Sequence, residues 1–324
     1  MKTFAAIAFA GVASATLMDP NDYEFMRYVT KYNKFYETVE EFTRRMEIFV
    51  ETKLTIAQLN NRNSSYRAGL NQFSDWTNEE YESMLGLLAD YDVSDNEKWT
   101  GAPNSTGIDW RTIGDTVTPV KDQGACGSCW AFSATETTES SWVIAGNDQV
   151  IMAPQELVDC AKGLFSNHGC NGGWYYYAWN WNKDNMTMRE SDYPYTSGST
   201  GDETPCAYDE SKGVTLVADY GQVAEDTDSI KARIEQGPVS VAVAAGNDVF
   251  RNYTSGIVTE ADGCPTRLDH AIQAVGWGSE NGQDYYIVRN SWNTTWGDQG
   301  YIKIGTGSGK GVCGINQAVY WNSV

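Results

Sequence analysis

The stretch Gln123-Gly124-Ala125-Cys126-Gly127-Ser128-Cys129-Trp130 decides how this chain is read, because it places two cysteines and an amide side chain at the mouth of a helical segment. Residues from Ser128 to Ala145 favour a helix that Gly146 stops, so Cys129 falls in its first turn. Far downstream come Asp269-His270-Ala271 and Asn290-Ser291-Trp292. A thiol, a histidine and an asparagine in this order supply a nucleophile, its base and a group that orients the base. The histidine lies 141 residues after Cys129 and the asparagine 161 residues after it. Singly, a cysteine is a small hydrophobe and an asparagine a turn residue, so the weight rests on their joint appearance.

The rest of the chain bounds what that constellation can be. At 324 residues there is room for about two domains. Met1 to Ala15 holds one early cation, Lys2, an apolar run from Phe4 to Val12 and a small-x-small end, Ala13-Ser14-Ala15, which reads as a signal peptide too short to span a membrane. In a secreted chain the seven cysteines read as six structural residues and one spare, with 15 pairings of six open to sequence alone. A redox role for the pair Cys126 and Cys129 lacks a surrounding βαβ pattern. The net charge of −20 argues against nucleic acid as a partner. Sequons stand at Asn63, Asn104, Asn185, Asn252 and Asn293. No GxSxG supports serine hydrolysis and no HExxH supports a zinc site, so neither metal nor cofactor is expected. Gly309, Gly311 and Gly314 spell GxGxxG without room after them for a βαβ unit.

Between Tyr23 and Asn60 the chain is charged and free of Pro and Gly, and Glu41, Arg45, Phe49, Ile56 and Asn60 recur on one helix face. This pattern resembles the ERFNIN motif of cathepsin L-like propeptides, with Thr52 where that family has asparagine. Gly69, Asn71, Phe73 and Asp75 then match GxNxFxD. With the cysteine motif, nearly the whole chain resembles the papain-like cysteine proteases. Past Val214 come short β-like runs, Val239 to Ala244, Ala271 to Val275, Tyr285 to Val288 and Tyr301 to Ile304. The resemblance implies an α+β, two-lobe papain-like fold, a helical lobe and a β-barrel-like lobe with the cleft between them. It implies a signal peptide at 1–15, an inhibitory propeptide at 16–103 and a peptidase domain at 104–324. The polar stretch from Asp90 to Thr106 reads as the exposed linker cut in maturation.

The same resemblance implies the site. Cys129 is the nucleophile, His270 its acid and base, Asn290 the residue orienting that ring, and Gln123 an oxyanion donor. Trp292 shields the His270 to Asn290 contact. Gly172 and Gly173 let an extended peptide approach, and Trp174, Tyr175, Ala242, Leu268 and Ala318 form the S2 pocket, whose lack of an acid favours Leu, Val or Phe at P2. Disulfides are implied for Cys126 with Cys170, Cys160 with Cys206, and Cys264 with Cys313. A short stretch from Cys160 to Cys170 with only His168 implies an endopeptidase; alternatives are an exopeptidase of the same family or a catalytically silent binding protein. Expected partners are polypeptide substrates, the chain's own propeptide and cystatin-type inhibitors, with the enzyme a monomer in the lysosome, vacuole or extracellular space. Asn293, where the family has glycine, puts a sequon beside the cleft.

Overall fold

The computed structural model describes residues 19–88, 97–163 and 166–324. The expected signal peptide lies outside the described residues, as does the part of the expected linker from 90 to 96.

The N-terminal segment is built from three capped helices. Helix α1, Pro20–Lys31, begins with Pro at its first position behind Asp19, whose side chain accepts from the Asn21 amide. Helix α2, Val39–Asn60, is capped by Thr38, and the short α3, Asn78–Ser83, by a reciprocal Thr77 and Glu80 capping box. Phe25, Tyr28 and Phe49 close a small apolar core between α1 and α2. The helix face read from the sequence is used as a docking face. Arg45 donates to both carboxylate oxygens of Glu80, and Asn60 both donates to and accepts from the backbone of Ala68 at 2.9 Å. Asp75, 2% exposed, accepts from the hydroxyls of Tyr28 at 2.6 Å and Tyr36 at 2.7 Å and from Lys34 Nζ at 2.8 Å, so this loop hangs on one buried carboxylate.

Helix α4, Cys129–Ile144, is buried at every residue from Cys129 to Ser140 although most of these are polar. Thr135, Thr138 and Ser140 return their hydroxyls to carbonyls four residues back, which satisfies them without water. Glu136 faces Arg289 at 3.3 Å, and Glu139 pairs with Lys121 at 2.5 Å. Helices α5, Pro154–Cys160, and α6, Tyr175–Asn182, pack against one side of α4, and the main sheet packs against the other.

That sheet has eight strands. Its path runs Asp219–Gln222, Val319–Ser323, Val239–Val243, His270–Glu280, Gln283–Arg289, Tyr301–Gly305 and Ile257–Val258, with Ile108–Asp109 added against His270–Glu280. All pairings are antiparallel except the last step of the path. The two ends of the path do not pair, so the expected barrel-like lobe is an open sheet. The N-terminal segment adds Arg67–Ala68 to Tyr253–Ser255 as a separate small sheet.

The expected linker is partly structured. Trp99 donates its amide to Gln222 O at 2.9 Å and accepts from Ala224 N, while Asn104 and Ser105 donate to the Glu235 carboxylate. An aromatic side chain that packs on the core outweighs the polar composition around it.

Candidate active site

Cys129 opens α4, where backbone amides are unpaired and favour negative charge. The turn before it is held by backbone contacts: Gly127 N donates to Cys170 O, and Tyr195 Oη donates to Gln123 O and lies 2.8 Å from Ser128 Oγ. A Cβ on Gly127 would stand 2.4 Å from Cys170 O. Disulfides join Cys126 to Cys170, Cys160 to Cys206 and Cys264 to Cys313, and Cys129 is left as a free thiol.

His270 opens the long central strand, and the amide of the next residue, Ala271, donates to Cys129 Sγ at 3.4 Å. Its Nε2 lies 2.8 Å from Asn290 Oδ1. Asn290 Oδ1 also accepts from Ser291 N, which fixes that atom as oxygen and makes Nε2 the protonated nitrogen. Nδ1, buried and without a protein partner, is then free to accept. The indole of Trp292 stacks on the imidazole at 4.5 Å and 27°. Gln123 accepts at Oε1 from Ser291 Oγ and Trp292 Nε1, so its Nε2 must face the cleft, where it donates to Met84 O at 2.8 Å and Cys126 O at 3.0 Å.

Two regions of sequence thus converge on one solvent-excluded thiol. Burial pushes the Cys129 thiol up, against the pull of nearby amides, and holds the His270 imidazole down, so enclosure beneath the N-terminal segment works against the charged form of each.

Residues 104–322 match the family described as papain family cysteine protease, and residues 25–81 match the cathepsin propeptide inhibitor domain (I29). The chain belongs to the papain family of cysteine proteases. It is 37% identical to digestive cysteine proteinase 1 of Homarus americanus over 97% of both chains, and 36% identical to chymopapain of Carica papaya over 92% of this chain and 85% of that one. The solved structure of digestive procathepsin L 3 from Tenebrio molitor larval midgut superposes with a TM-score of 0.84 at 31% identity, covering 94% of this chain and all of that one. The protease is therefore cathepsin L-like, and its N-terminal segment makes it a zymogen.

In this papain-family proform the propeptide crosses the cleft from the Trp292 side. Phe73 and Tyr81 set their rings edge-on to Trp292 at 5.3 and 5.6 Å. Met84 then meets Gln123, and Gly86 lies over Cys129, accepting from Gly173 N at 2.9 Å. Leu87 N donates to Asp269 O, and Leu88 O accepts from Trp174 Nε1 at 3.2 Å. Leu87 belongs to the same apolar cluster as Trp174, Tyr175, Ala242 and Ala318, with Leu268 packed against it. Gly172 takes φ +113°, and a Cβ on Gly173 would meet Asn167 Oδ1 at 2.3 Å, which explains the glycine pair. His168 is exposed and stands outside this convergence. Met84, Gly86, Leu87, Tyr195 and Asp269 were not among the residues expected from sequence. Only the apolar run around Gly86, just before a polar stretch, could have flagged the crossing.

Proposed function

We propose that the mature protease is an endopeptidase in which Cys129 attacks the peptide carbonyl and His270 shuttles the proton. The observation that carries this reading is the pairing of His270 Nε2 with Asn290 Oδ1, which leaves Nδ1 free to accept, one residue before Ala271, whose amide donates to the Cys129 thiol at a helix N-terminus. Removal of the propeptide rehydrates both groups, and the α4 terminus and the imidazolium then hold the thiolate. The imidazolium protonates the leaving amine, and the acyl-enzyme is hydrolysed by water that the same ring activates. Gln123 Nε2, which now holds a propeptide carbonyl, is placed to take the oxyanion instead. Labelling of acid-treated enzyme with a thiol-directed epoxide, followed by peptide mapping, tests the assignment; modification at any other residue, or none, refutes it.

Gln123→Ala is expected to lower kcat about a hundred- to thousandfold with a smaller change in KM, read from steady-state kinetics on a peptide amide. Trp174, Tyr175, Ala242, Leu268 and Ala318 lie in or against one apolar cluster and include no acid, so a P2 library is expected to favour Leu, Val and Phe over Arg by at least about tenfold in kcat/KM, because a buried unpaired cation is costly. We further assign secretory-pathway synthesis with a lysosomal, vacuolar or extracellular destination. No described helix is long and apolar enough to cross a membrane. Among the sequons, Asn293 is exposed while Asn252 is 1% exposed with Nδ2 donating to Asp248 O, so of these two only Asn293 suits a glycan in this fold.

Acid is expected to loosen the propeptide. The bidentate hydrogen bond from Arg45 holds the Glu80 carboxyl below the usual glutamate range. A depressed pKa stabilises the folded clasp above the unfolded value of roughly 4.3, and that contribution fades as pH falls through the folded value. Arg45→Gln should therefore make processing of the proform faster at pH 5 to 6 and less dependent on further acidification, followed by gel densitometry over time. Equal rates for both proteins across this range would contradict the assignment.

A further inference from the structure

Arg251 belongs to the peptidase domain, yet every hydrogen bond of its guanidinium goes to the propeptide. Nη2 donates to Phe73 O and Trp76 O at 2.6 Å each, and Nη1 donates to Asn78 Oδ1 at 3.2 Å. The same group lies 4.9 Å from the centre of the Tyr81 ring. None of these partners is a carboxylate, Nε is buried without a partner, and the residue is only 6% exposed. It borders a cavity of about 350 Å³ that Thr52, Asn78 and Asp248 also line. The backbone carbonyl of Arg251 accepts from Trp296 Nε1, and the neighbouring Phe250 packs 5.6 Å from Trp292 and 6.2 Å from His270. The residue is therefore anchored on the Trp292 side of the catalytic pair.

Cleavage and departure of the propeptide remove all three oxygen acceptors and the ring in one event. What remains is a cation whose backbone carbonyl is held by Trp296 and whose chain neighbour Phe250 packs on Trp292 and Trp296. The acids facing it are then few, since Asp75 leaves with the propeptide and Asp248 stays. We propose that Arg251 is a specificity-determining residue of the primed side, where its fork of donors takes the carboxylate of an Asp or Glu side chain in the substrate segment that follows the cut bond. Arginine suits this role because its planar donors match a carboxylate in pairs. The proposal rests on the endopeptidase reading above.

The test uses activated wild-type enzyme and internally quenched peptides with a common unprimed half and Glu, Gln or Lys at P1′, P2′ or P3′, each with a free or amidated end. At one or more of these positions Glu is expected to exceed Gln about fivefold in kcat/KM, Lys to fall below both, and the preference to shrink as salt rises. Arg251→Gln should erase the ratio and Arg251→Lys should keep part of it. Equal rates for Glu, Gln and Lys at all three positions overturn the proposal. So does a preference that vanishes when the peptide end is amidated, since the anion would then be the chain terminus. A coumarin amide carrying only the unprimed half separates the two readings: if the wild type fails to cut it, the endopeptidase reading falls, whatever the peptides do. The substrate comparison on wild type decides the matter even where Arg251→Gln does not accumulate.

Discussion

Cys129→Ala protein is expected to stay uncut in acid and, when its propeptide is removed by an added protease, to hydrolyse peptides at least about 10⁵-fold more slowly than the wild type. The loss is this large because no second nucleophile stands in the site among the described residues. Ser128 Oγ is turned away toward Tyr195, and Ser291 Oγ is spent on Gln123 Oε1. Stability should change little. The side chain removed is one sulfur in a closed cluster, and the amide of Ala271 loses only a long contact of 3.4 Å. Circular dichroism melting within a few degrees of wild type, together with absent turnover, is the expected pair of results. Self-processing by the purified variant would move the nucleophile elsewhere.

Gly86→Val should undo latency. A Cβ on Gly86 would stand 1.8 Å from Gly127 O and 2.3 Å from its carbonyl carbon. Neither atom can give way, because Gly127 belongs to the turn that Cys170 and α4 hold. The crossing segment must lift away, and with it go the bond from Gly173 N to Gly86 O and the seat of Leu87. Overpacking of this kind costs about 3 kcal/mol or more, so inhibition should weaken at least about a hundredfold. The measurement is coumarin-amide hydrolysis by freshly purified proform at neutral pH, with Gly86→Ala as a milder step in the same direction. A proform that stays silent with valine at this position would show that the inhibitory contact lies elsewhere.

These two positions also show what the sequence disclosed and what it hid. Cys129, His270 and Asn290 could be singled out as candidates because each sits in a short local motif whose neighbours have their own structural duties, such as Gly127 under Cys170 O and Trp292 on the imidazole. The face of α2 was legible for the same reason, since Arg45, Phe49 and Asn60 recur at helical steps. Gly86 was not, because the crossing is held mainly by main-chain groups of Met84, Gly86, Leu87 and Leu88, which any residues possess. Arg251 was missed because its acceptors are carbonyls of a segment remote in sequence. The barrel-like lobe was legible in its strands but not in its closure. Strand character says that runs will pair, but closure depends on how the first and last strands meet, and here Asp219–Gln222 and Ile257–Val258 remain apart.

Helix α4 is sheathed by the sheet, α5 and α6 along most of its length, and only its last residues approach solvent. Mobile counterions cannot reach a dipole enclosed in this way, so the thiol at its head should react with alkylating reagents at nearly the same rate in dilute and in concentrated electrolyte. Turnover of acidic peptides that touch a rim cation should slow under the same change, and the contrast tells apart the charge that drives bond making from the charge that selects which chain is cut.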